Sequence, residues 1–229
     1  MKNIISIFSK FMFAIVVCLL FVLSNPVYSK TISYKQTLSG NTFFNKWTIK
    51  TSTQNRVLVG NMATGLVKLI SDNANKTHSW SYISETEKTD LKVHREENKL
   101  IMLGTVHGKT VNKKVKIDDN PWIQVPGLQL TNFIKSDKKL QEFWIVSVEN
   151  ATIEKLIVYK KNRVNLEVDK KSFPAQRVKI TLPDFRGMFW SAWYWFNEEN
   201  GLFIKYKGLN GGPGSPETVV TLHTANDKH

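Results

Sequence analysis

The chain has 229 residues, a formal net charge of +13 and one cysteine. A single thiol excludes an internal disulfide and an iron–sulfur cluster built by this chain alone. The basic excess speaks to solubility and loose attraction to anions, and leaves the fold open.

Lys2 and Lys10 flank the start of an unbroken apolar run, Phe11 to Leu23, which Ser24-Asn25-Pro26 ends. With Val27 and Ser29 at the −3 and −1 positions, this is the layout of a secretory signal peptide over residues 1–29, cleaved near Ser29-Lys30. The run is shorter than the roughly 20 residues that cross a bilayer as a helix. Retention as an anchor is the alternative. Cys18 would leave with the leader. Residues 30–229 are then expected to form a single β-rich domain, periplasmic or extracellular, held by its core alone. In an exported chain the lysine groups (Lys113, Lys114 and Lys116; Lys160, Lys161 and Arg163) do not argue for nucleic acid. They read as a solvated surface, with peripheral contact to anionic headgroups as the functional alternative.

Beyond the leader, a period of two recurs with β-branched and aromatic residues and frequent turn residues. Ile32 and Tyr34 alternate with polar neighbours, as do Trp47 and Ile49. Trp80 and Tyr82 share a face with His78. His107-Gly108-Lys109 marks a hairpin tip. Val111, Val115 and Ile117 face one way and Lys114 and Lys116 the other, the pattern of an antiparallel sheet with one wet face. The pattern breaks at Asp118-Asp119-Asn120-Pro121. Leu130, Phe133 and Ile134 at i, i+3, i+4, after Pro126-Gly127, predict one short helix over about Pro126 to Lys135. Strands resume at Phe143 to Val148. Lys155 to Lys160 and Arg163 to Val168 are expected to form a hairpin around Lys161-Asn162. Val178, Ile180 and Leu182 alternate next.

The last stretch, Leu182 to Leu222, holds the densest aromatic run, including Trp190, Trp193 and Trp195. Asn200-Gly201 and Gly211 to Pro216 break it into further strands. About a dozen short strands with one inserted helix predict an all-β, mainly antiparallel fold: a curved meander forming a barrel or half-barrel, preceded by the signal helix.

No pair of histidines has metal-ligand spacing and no G-x-S-x-G elbow occurs. No cofactor or metal is expected, and no enzyme. The candidate ligand-binding residues are aromatic: Trp122, Trp144, Phe185, Trp190, Trp193 and Trp195, with Arg186 to orient an acidic group. Because the aromatic run occupies both parities of a strand, some rings must face away from the core or the strand must bulge.

Trp193-Tyr194-Trp195-Phe196, the Gly201 to Tyr206 segment (GLFIKY) and the Gly211 to Leu222 segment (GGPGSPETVVTL), with Asn120 to Gln124 (NPWIQ) upstream, resemble a group of uncharacterised exported bacterial β-proteins. That group carries no activity to transfer. The succession of hairpins with one inserted helix is also similar, in architecture, to the half-barrels of periplasmic lipoprotein carriers. The expectation is a non-enzymatic cell-envelope protein that holds an apolar or amphipathic, lipid-like ligand on its aromatics, with lysines meeting an anionic head. A structural or assembly factor that contacts another envelope protein is the second reading, and an uncharacterised hydrolase the third.

Overall fold

The computed structural model describes residues 27–209 and 215–223. Most of the predicted leader and the glycine-rich part of the Gly211 to Pro216 loop lie outside the described residues. Tyr28 and Ser29, the last residues predicted to leave with the leader, are the first two of β1.

Fourteen strands form one antiparallel sheet. In the first half these are β1 (Tyr28–Leu38), β2 (Asn41–Thr51), β3 (Asn55–Met62), β4 (Gly65–Asp72), β5 (Thr77–Ser84), β6 (Thr89–Glu96), β7 (Lys99–Val106) and β8 (Lys109–Lys116). The second half holds β9 (Leu140–Ser147), β10 (Thr152–Val168), β11 (Lys171–Thr181), β12 (Ser191–Asn197), β13 (Phe203–Leu209) and β14 (Glu217–His223). Their order is β8 through β1, then β14 down to β9. The first and last described strands therefore pair at the sheet's centre, Tyr34 opposite Leu222. The middle of the sequence supplies both edges. The meander and inserted helix predicted from the sequence are present, in an open, barrel-like sheet.

The edges β8 and β9 share no ladder. The segment between them bridges the gap. Pro121 O accepts from Trp144 N and Trp144 O accepts from Ile123 N, both at 2.9 Å, so this segment runs beside β9. Trp122 O accepts from Thr77 N at 2.9 Å, which ties it to β5. Lys113 of β8 reaches Ala151 O in the β9–β10 turn at 2.8 Å.

The predicted helix is two: α1 (Pro126–Gln129) and α2 (Thr131–Lys135), broken at Leu130. Their apolar side chains Leu128, Leu130, Phe133 and Ile134 are buried against the sheet's inner face. Gly127 allows close approach; a Cβ there would meet the Phe203 ring at 3.0 Å. Lys160, on the inner face of β10, donates to Ile134 O and Ser136 O and stands over the Phe133 ring. It caps the C-terminus of α2, where carbonyls lack partners and positive charge is favoured.

One predicted hairpin is corrected. Lys161-Asn162 is no turn, because β10 runs unbroken from Thr152 to Val168 with a bulge between Lys160 and Arg163. Gln176 Nε2 donates to Lys161 O at 2.7 Å and Arg177 donates to Asn162 Oδ1 at 2.6 Å, which satisfies the irregular backbone and side chain. The turn lies at Asp169-Lys170, both with positive φ (49° and 63°). Such a pair fits the twist of a two-residue hairpin, although neither is glycine.

At the β9 edge, Asp118 accepts from Trp144 Nε1 at 2.7 Å, from Asn120 N at 3.0 Å and from Lys155. Desolvation pushes the Asp118 carboxyl up, but the hydrogen bonds from Lys155, Trp144 and Asn120 outweigh it and hold the group well below the usual carboxylate range. A depressed folded-state pKa stabilises above the unfolded value, about pH 4, and that stability is lost as the pH falls towards the folded value. The side chain is 45% exposed, so screening keeps the contribution at about 1 kcal/mol or less. Urea denaturation of Asp118→Asn should show that deficit at neutral pH, shrinking between about pH 4 and pH 2. A deficit independent of pH would contradict this origin.

Candidate functional site

The inner face of the curled sheet encloses a cavity of about 610 Å³. That is within the range that takes a drug-sized ligand. α1 and the segment before it form its floor, through Gln124, Val125, Pro126 and Leu128. Thr64, Glu87 and His107, from strand-connecting turns at the opposite end, form its rim.

Strand register builds the walls. On one side Tyr194, Tyr206, Val220 and Gln36 stand in one row across β12, β13, β14 and β1. On the other, Trp47, Gly60, Val67 and Tyr82 form a row across β2 to β5. Gly60 supplies no side chain, and the Trp47 indole lies over it; a Cβ there would be 2.7 Å from the ring. The Trp80 and Tyr82 rings are nearly parallel with centroids 6.4 Å apart. Tyr194 meets Tyr206 edge-on at 4.9 Å and Phe203 at 5.8 Å.

Burial raises the phenol pKa values of Tyr34 and Tyr194 far above normal, with the neighbouring Tyr206 adding to the effect at Tyr194. It pushes Tyr206 up to about 12 and raises Tyr82 as well. These phenols stay protonated at neutral pH and offer donors, not bases. Tyr34 donates to Phe203 O at 3.3 Å and Tyr206 to Leu209 O at 3.0 Å. The Tyr82 hydroxyl lies 2.9 Å from Glu87 Oε2 and 3.2 Å from Thr64 O. The Tyr194 hydroxyl has no hydrogen-bond partner among the described residues.

The lysines expected to meet an anionic head are not here. Among the described residues no lysine or arginine borders the cavity, while Glu87 and Glu149 do. Neither carboxylate forms an ion pair among the described residues. Nor, among them, do three or more His, Cys, Asp or Glu groups gather as metal ligands.

The structure does not bring the seven sequence-predicted residues to one site. Trp122, in the bridging segment, is fully buried and donates to Gln124 Oε1 at 2.9 Å. Trp144 packs at the β9 edge beneath Lys155. Trp193 and Trp195 face outward, because Ala192, Tyr194 and Phe196 take the inner face of β12. Arg177 stands 4.6 Å over Trp193 and Lys205 5.5 Å over Trp195. Arg186 and Trp190 border a second, largely apolar cavity of about 560 Å³ with Ile145, Leu156 and Leu182. Phe185 is on the 3-10 turn Phe185–Met188 before β12. With Met188 and Phe189 it makes an apolar tip, the three being 65–79% exposed. Arg186 pairs with Asp184 at 2.9 Å and Glu154 at 3.5 Å, which holds that tip in place.

The aromatics that line the main cavity come from strands β1, β2, β5, β12 and β13. Tyr34, Trp47, Trp80 and Tyr82 were visible in the sequence as inward positions of alternating strands. Their convergence was not, since it depends on the curl of the sheet.

The fold has a solved counterpart. The crystal structure of a beta-barrel-like protein of domain of unknown function DUF1849 from Brucella abortus is similar, with TM-score 0.60 and 12% identity. The match covers 87% of this chain and 96% of that one. At this identity it speaks to the fold alone. No family model and no curated protein matches the sequence.

Proposed function

We propose that this is an exported cell-envelope protein that binds an apolar or amphipathic, lipid-like molecule without chemically altering it. The observation that carries the reading is the aromatic-walled cavity, floored by α1 and bordered by turns at the far end. Aromatic walls supply apolar area and ring faces. Tyr194 adds a hydroxyl free to meet a polar group, and the rim adds Glu87, His107 and Thr64. The cavity-bordering groups able to move a proton, Glu87, His107 and Glu149, form no hydrogen bond or ion pair with one another among the described residues, which favours binding over hydrolysis.

Titration with the uncharged dye Nile red tests this. Enhanced dye fluorescence with quenching of tryptophan emission is expected, displaced by dodecyl maltoside below its micelle concentration. Val220→Trp should fill the cavity and weaken the dye by about tenfold or more, as loss of a fitted apolar site implies. Unchanged dye affinity in that variant, with the fold intact by circular dichroism, would sink the reading.

A second reading, contact with another envelope protein, is favoured by the exposed tip of Phe185, Met188 and Phe189. Apolar patches held at a surface mark interaction sites. A photo-crosslinker at position 188 should capture one defined protein in intact cells. A diffuse pattern, unchanged by Phe185→Ser with Phe189→Ser, would argue against it.

A further inference from the structure

We infer that the cavity selects an amphiphile whose polar end carries a positive charge, an organic ammonium group, over one ending in a carboxylate or sulfate. This rests on the binding reading above and names the chemistry of its ligand. The whole chain has 32 lysines and arginines against 19 aspartates and glutamates. Yet the formal charges that border the cavity among the described residues are those of Glu87 and Glu149. Neither is neutralised by a protein cation among those residues. Glu87 is held beside the aromatic wall by the Tyr82 hydroxyl at 2.9 Å.

The wall itself points the same way. Ring faces attract cations, most strongly those of tryptophan and tyrosine, and more so where water is excluded. Trp47, Trp80, Tyr82 and Tyr194 border the cavity, and among the described residues no lysine or arginine stands over their rings. On the outer face the opposite holds, since Trp193 and Trp195 already lie under Arg177 and Lys205. An ammonium head would gain both the ring faces and the carboxylates. A sulfate or carboxylate head would meet two like charges in a partly enclosed space, where such repulsion is weakly screened.

The experiment is displacement of bound Nile red by three twelve-carbon amphiphiles below their micelle concentrations: dodecyltrimethylammonium, dodecyl maltoside and dodecyl sulfate. Displacement reads the cavity, so sulfate bound only to the basic surface does not register. The ammonium should displace dye at a concentration at least about tenfold below that of the sulfate, with the maltoside between. Glu87→Gln combined with Glu149→Gln should raise the ammonium midpoint by about tenfold and move the maltoside midpoint by less than about twofold. The amide introduced at position 87 keeps an acceptor for the Tyr82 hydroxyl, and matched melting curves show that the variant is folded. Maltoside binding with sulfate as effective as ammonium, or with the ammonium midpoint unmoved in the variant, overturns the charge selectivity and leaves the cavity reading standing. No displacement by any of the three overturns both.

Discussion

Gln129→Leu is expected to destabilise the protein by about 4 kcal/mol and to abolish dye binding in the cavity. Gln129 is 2% exposed at the end of α1 and makes four hydrogen bonds. Its Oε1 accepts from Gln124 N at 2.9 Å and Val125 N at 2.7 Å, which satisfies donors that no capping side chain reaches. Its Nε2 donates to Asn75 O at 2.8 Å and Thr77 Oγ1 at 2.9 Å, so the cavity floor is tied to the start of β5. Leucine keeps the volume and removes all four bonds. Each orphaned buried group costs about 1–3 kcal/mol, and partial access of water lowers the sum. Gln129→Glu keeps the two accepting interactions but sets a carboxylate oxygen against Asn75 O and buries a charge, so at neutral pH it should cost at least as much. Urea midpoints of the two variants check the order; a loss below about 1 kcal/mol for leucine would show that the floor does not depend on this side chain.

The second large effect is Gly104→Ala in β7. Gly104 has φ of +135°, and a Cβ there would stand 1.9 Å from Asp90 O in β6. Neither backbone can yield without breaking the ladder that pairs Leu91 with Gly104 and Asp90 with Thr105. The substitution is expected to cost more than about 4 kcal/mol and to reduce the yield of folded protein sharply. Gly108→Ala is the control. Its φ is +75° and nothing lies within 4 Å of the added Cβ, so only the backbone preference is lost, about 1 kcal/mol. Equal effects of the two alanines would show that the close approach to Asp90 is not what requires glycine at 104.

How far the sequence reached can be judged residue by residue. The period of two predicted the sheet, and Leu130, Phe133 and Ile134 located the helical insert between the edge strands. The turn at Asp169-Lys170 escaped because neither residue announces positive φ as glycine does, whereas Lys161-Asn162 has the composition of a turn and proved to be a bulge. Gln129 was not legible as the tie beneath the cavity, since its partners Asn75 and Thr77 lie more than fifty positions away. The aromatic run at Trp190 to Phe196 has the density of a binding site, but alternation sends Trp193 and Trp195 outward while Tyr194 turns in.

From the sequence alone came the all-β class, the antiparallel meander and the place of the helix. Those follow from periodicity and turn chemistry, which act over a few neighbouring residues. Only the tertiary structure decided that the first and last described strands meet at the centre of the sheet, that the middle of the chain forms both edges, and that rings from five strands enclose one space. Those outcomes depend on which strands pair and how strongly the sheet curls, and both are set by contacts between residues far apart in the chain.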